Sequence, residues 1–194
     1  MKRKLLILSV LAICIATFAV GTLAYVSSEV TTHNVITTGG VDIELKETGE
    51  DGKPFEDQTG IMPGMEVTKI VQVKNIGKAE AWIRLKITTT VTGADGKTLP
   101  ADQVKLNINN EFWAQQGEYL YYKKAVKPGD ITEPAFTTVT FEKTMGNEYQ
   151  NAKAVITVDA FAVQTANNGT TWDTVKPESW PNDTKTGVDG AVTG

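Results

Sequence analysis

From Val41 onward the chain alternates with a period of two. "VDIEL" sets Val41, Ile43 and Leu45 against Asp42 and Glu44, the signature of a strand with one wet face. "VTKIVQVKN" places Val67, Val71 and Val73 on one side, interrupted by Lys69 and Ile70. "AWIRLKITTTV" opposes Ile83, Leu85 and Ile87 to Trp82, Arg84 and Lys86, and "VKLNI" gives Val104, Leu106 and Ile108. "FTTVTFEK" offers Val139 and Phe141 among β-branched threonines, whose stiff side chains suit a pleated surface. "AVITVDAFAV", residues 154–163, is apolar on nearly both faces and reads as a central strand.

Breakers separate these runs: "TGEDGKP", "MPG", "NIGK", "TGADGK", "KPGD" and "MGN". Pro63-Gly64 and Pro128-Gly129 each fit the centre of a type II turn, proline presetting φ and glycine accepting φ > 0. Helical spacing is nearly absent, with "MGNEYQNAKA" good for one turn at most. Seven or more short strands joined by turns describe an all-β, antiparallel sandwich. From Asp173 the chain is rich in Pro, Gly, Asp and Thr and loses its apolar period, so residues 173–194 read as a loose tail.

The N-terminus follows another rule. Lys2, Arg3 and Lys4 precede sixteen apolar-rich residues, Leu5 to Val20, too few for a bilayer span of roughly 20 residues and suited to a signal-peptide core. Thr22 and Ala24 supply the small residues a signal peptidase reads, so cleavage is expected after Ala24, leaving Tyr25 first. The division expected is signal peptide 1–24, sandwich domain 25–172 and tail 173–194. Cys14, the only cysteine, lies mid-core behind bulky Ile13, which argues against lipidation. It leaves with the signal, so the exported chain holds neither a disulfide nor a thiolate metal site.

Loss of the three cations takes the formal net charge from −4 to −7. An acidic protein without a basic cluster is a poor partner for nucleic acid, and its contact with the membrane is expected only through the signal before cleavage.

Catalytic inventory is thin. His33 is the only histidine, and a zinc peptidase site needs about three ligands, often two histidines on one helix face with a glutamate base. There is no Gly-x-Ser-x-Gly and no phosphate loop, so neither enzyme activity nor a cofactor is expected. The acidic stretch holding Glu47, Glu50, Asp51, Glu56 and Asp57 matches no EF-hand and reads as a solvated turn. The aromatics of "NNEFWAQQGEYLYYKK" suit either core packing across a hairpin or a platform for sugar or peptide.

Three stretches carry a family resemblance. "GTLAY" runs through "SSEVTTHNVITTGGVDI", where a Gly-Thr-x-Ala exit leads into a first strand. "MPGMEVTKIVQVKNIGKAEAWIRLKI" joins a Pro-Gly turn, a strand, an Asn-x-Gly turn and a further strand. "YYKKAVKPGDITEPAFTTVTF" pairs with "ITVDAFAVQT". In order and spacing, over most of residues 1–165, the chain resembles TasA, the camelysin-like (CalY) proteins and other Gram-positive exports processed by a SipW-type signal peptidase. The resemblance implies a jelly-roll or Ig-like sandwich, secreted and held in the biofilm matrix or at the cell surface. It does not carry over the metalloprotease activity ascribed to some camelysins, because the ligands are missing.

The expected partners are the chain itself or a homologous matrix protein, besides the peptidase. The segment "VSSEVTTHNVITT", with Val26, Val30, Val35 and Ile36, has high β-propensity, no proline and one acidic residue. It is suited to add as a strand to a neighbour's sheet, hinged at Gly39-Gly40. A monomeric surface adhesin using the aromatic hairpin is the alternative.

Overall fold

The computed structural model describes residues 26–30, 34–38, 40–56 and 58–181. The signal residues, Cys14, Thr22, Ala24, Tyr25, His33 and Gly39 lie outside them. Among the described residues, twelve strands form two sheets. In chain order they are β1 (Val26–Val30), β2 (Asn34–Thr38), β3 (Ile43–Thr48), β4 (Gln58–Ile61), β5 (Glu66–Asn75) and β6 (Ala81–Thr92). There follow β7 (Thr98–Leu99), β8 (Val104–Leu106), β9 (Trp113–Gln116), β10 (Tyr119–Tyr122), β11 (Phe136–Phe141) and β12 (Ala152–Gln164). The larger sheet runs β4-β1-β12-β6-β10-β9, with β2 also on β12 and β7 on β6. The smaller runs β3-β5-β11-β8. The all-β, sandwich-like expectation stands, with one correction to its antiparallel character. Both β1 and β2 lie parallel to β12, whereas the other strand pairs are antiparallel.

Alternation explains the core. The inward positions of β12 are Ala152, Ala154, Ile156, Val158, Ala160 and Ala162, all buried. They share one cluster with Leu45, Val71, Val73, Phe136 and Phe141 of the smaller sheet, so small residues on one layer leave room for phenyl rings on the other. Trp113 fills one end of this core, its Nε1 donating to Glu133 O at 3.0 Å and its ring 5.0 Å from that of Tyr122.

The turns do what their residues require. Gly64 and Gly129 sit at φ 83 and 87, and the closing bonds Met65 N to Met62 O and Asp130 N to Lys127 O measure 3.1 and 3.0 Å. Asn75 ends β5 with its side chain buried. Its Nδ2 donates to Ala79 O and Val126 O, each at 2.8 Å, and its Oδ1 accepts from Gly77 N at 2.9 Å. The "NIGK" turn is thus tied from inside to the loop before the second Pro-Gly turn.

Two buried phenols give the fold an alkaline limit. Tyr149 donates to Pro100 O at 3.0 Å and Tyr122 accepts from Glu133 N at 3.3 Å. Burial holds both above the ordinary tyrosine value of 10.0. The folded state therefore retains these protons more tightly than the unfolded chain. Their contribution is complete below the unfolded value and is lost as pH climbs through the raised folded ones. Urea midpoints measured at about pH 8 and about pH 11 should fall at the higher pH, and Tyr122→Phe with Tyr149→Phe should shrink the drop. An unchanged drop in the double variant would place its origin elsewhere.

Candidate functional site

Strand β12 has two edges with different histories. One is paired along its whole length with β6, from Lys153↔Thr92 to Gln164↔Ala81. The other is filled by the two N-terminal strands in line. Val26 to Val30 pair with Ala152 to Ile156, and Asn34 to Thr38 pair with Asp159 to Val163. From Val30↔Ile156 to Asn34↔Asp159 the N-terminal segment advances four residues while β12 advances three, so the pairing jumps by one. A one-residue jump exchanges the faces of a strand. Val35 accordingly pairs with inward Ala160, and Ile36 with outward Phe161.

The four proposed assembly residues are therefore placed in two strands rather than one: Val26 and Val30 in β1, Val35 and Ile36 in β2. Beyond β1 the sheet continues into β4, but β2 pairs with no strand other than β12 among the described residues. Val35 is exposed and Ile36 half-buried. Gly40 follows at φ 75, a conformation that L side chains rarely adopt, with open space around it.

Ile36 packs into a second apolar cluster on the outer face of the larger sheet. Its buried members are Trp82 on β6, Phe161 and Val163 on β12, and Val175 and Trp180 from the C-terminal segment. At its centre is Arg84, 7% exposed. The guanidinium Cζ lies 3.7 Å from the ring centre of Tyr119, 4.7 Å from that of Trp180 and 5.2 Å from that of Phe161. Its Nη1 donates to Tyr121 Oη at 3.4 Å. The cation is therefore held by ring faces, which offer their negative quadrupole to it. Two buried donors here, Arg84 Nε and Trp82 Nε1, have no acceptor among the described residues.

The C-terminal segment corrects the sequence-based boundary. Residues 173–181 were expected to be loose. Instead Trp172–Thr174 and Pro177–Ser179 form 3-10 turns, the first opened by reciprocal Thr171 and Thr174 side-chain bonds, and Val175 and Trp180 are buried. Trp172 and Trp180 lie 5.5 and 5.7 Å from Tyr121. The segment is a strap across the aromatic face. The rest of the expected tail, residues 182–194, lies outside the described residues.

The acidic stretch also departs from expectation at one residue. Glu47 is not part of a solvated turn: it faces inward on β3, and its Oε2 lies 2.9 Å from Lys69 Nζ, with the two side chains 6% and 2% exposed. The remaining loop carries Glu50, Asp51 and Glu56 in the open and borders a cleft of about 480 Å³ with Phe55, Met65 and Glu66. Asp51 bonds to Lys53, which holds its carboxyl below the usual value. No group of three or more His, Cys, Asp or Glu among the described residues is arranged to hold a metal ion.

Sequence alternation assigns Trp82 and Arg84 to the wet face of β6, and the structure keeps them on that face but buries them. The signal was present in the excess of aromatics on outward positions, Tyr119, Tyr121 and Phe161. What was missing is the partner, because the covering strap lacks any period. No family model, curated protein or solved structure matches the chain.

Proposed function

We propose that the chain is an exported structural protein of the extracellular matrix or cell surface. It is cut close to Ala24 and assembles with itself or a homologous matrix protein by β-strand addition. The observation that supports this most is the seating of Val26–Val30 and Asn34–Thr38 on one edge of β12 in parallel. A terminal segment that joins a sheet by strand pairing is the kind of element that a neighbouring copy can supply instead. Exchange retains every backbone bond while linking molecules head to tail, which gives an open filament. The fold reading that goes with it is a jelly-roll or Ig-like sandwich behind a cleavable signal, as the resemblance to TasA and the camelysin-like proteins implies.

The rival reading, a monomeric adhesin using the aromatic hairpin, has less support. The outer rings of that hairpin, Tyr119 and Tyr121, face Phe161, Trp172 and Trp180 rather than an open surface. Concentrating the exported protein and imaging it by electron microscopy tests the proposal. Filaments are expected, and a protein that remains monomeric at every concentration would refute assembly.

A further inference from the structure

The strand seat and the C-terminal strap meet in one cluster, and we infer that the strap is a lock on the N-terminal strand. This rests on the strand-addition reading and adds its regulation: the segment Trp172–Pro181 sets how readily β2 leaves β12.

A continuous line of contacts carries the inference. Ile36 of β2 is in register with Phe161, and both belong to the outer cluster. The phenyl ring of Phe161 lies 5.2 Å from the Arg84 guanidinium, which lies 4.7 Å from the ring of Trp180. Trp180 in turn closes the second short turn of the segment, with Ser179 N and Trp180 N donating to Lys176 O and Pro177 O at 3.0 and 3.3 Å. Ile36 thus gives β2 side-chain burial on this face, and the strap completes the apolar surface that it joins. Opening the strap wets that surface and removes part of what holds Ile36, while the main core on the other face of the sheet keeps its own packing.

The polar groups point the same way. Arg84 Nε and Trp82 Nε1 are buried with no acceptor among the described residues, so closure leaves two donors unmatched by these residues that water can satisfy on opening. The other end of the chain holds the strap, so the same molecule supplies both the exchangeable strand and its restraint. Coupling of this kind is reciprocal: loosening either element must loosen the other.

The test is amide hydrogen exchange on the exported protein kept dilute and monomeric. Trp180→Ala should raise exchange in Asn34–Thr38 by roughly tenfold while leaving β3 and β5 as in the parent. Ile36→Ala should accelerate Ser179 and Trp180 in return. Unchanged β2 exchange in the first variant, or an unchanged strap in the second, would overturn the lock. So would a uniform rise across both sheets, which would make Trp180 a general support of the fold. These readouts come from the monomer and stand whatever the assembly assay gives. Persistence of filaments without Val26–Thr38 would instead count against strand addition alone.

Discussion

Replacing Glu47 with alanine is expected to cost about 3–5 kcal/mol of folding stability, among the largest single-residue effects in this protein. Lys69 occupies an inward position of β5, in phase with Val71 and Val73, and is 1% exposed. Its ammonium has two neighbours that answer its charge: Glu47 Oε2 at 2.9 Å and the face of Phe55, with Nζ 4.5 Å from the ring centre. Alanine at 47 removes the counter-charge and leaves the ring, which is worth only about 0.5–2 kcal/mol. The pair itself is an imperfect device, because Glu47 Oε1 is buried without a partner among the described residues. Replacing both residues, Glu47→Leu with Lys69→Met, should therefore be neutral or stabilising by about 1–4 kcal/mol. Urea unfolding of the parent, the single variant and the double variant reads this directly. A single variant within about 1 kcal/mol of the parent would mean that the pair is solvated in solution.

Removing Val26–Thr38 is expected to abolish filaments while leaving a soluble domain. The deletion takes away β1 and β2, whereas the described members of the larger core cluster begin at Val41. What it leaves is a bare edge on β12 with no strand to donate, so the edge has nothing of its own kind to pair with. Proline at both Val30 and Val35 should have the same effect with nearly the full chain retained, since proline lacks the ladder N–H and fits badly inside a strand. Sedimentation after concentration distinguishes the outcomes. Parent-like pelleting by both variants would show that assembly uses another surface.

Much of the architecture was readable from alternation, and the reason differs by strand. β12 stood out because both faces are apolar, and the structure places it centrally, covered by the core on one face and partly by the outer cluster on the other. β5 and β11 were legible from their valines and threonines, and the two Pro-Gly turns from steric rules that need no tertiary context. Lys69 was not legible, because a cation in an apolar phase reads as a flaw until its partner is known. That partner sits on another strand, 22 positions earlier in the chain.

The N-terminal segment was read as one strand. Its one-residue register jump is set by where β12 offers partners, which the segment's own composition does not encode. The strap was missed for a related reason. Val175 and Trp180 are two large side chains in a polar run, and burial comes to them from an aromatic face built by β6, β10 and β12. Alternation reports the faces of a strand, and it carries no information about a coil that docks on one of them.

The most direct measurement of strand exchange is a cross-link between molecules. Thr37 and Ala162 are register partners on β2 and β12, and neighbouring Cα atoms of a parallel pair lie within disulfide range. The sole native cysteine, Cys14, precedes the expected cut, so the exported chain adds no competing thiol. Thr37→Cys and Ala162→Cys are placed in separate molecules, mixed, concentrated and oxidised, then examined on a non-reducing gel. Strand exchange predicts disulfide-linked dimers joining one variant to the other in the filaments, and none in the dilute mixture. Filaments that form without these heterodimers would contradict it.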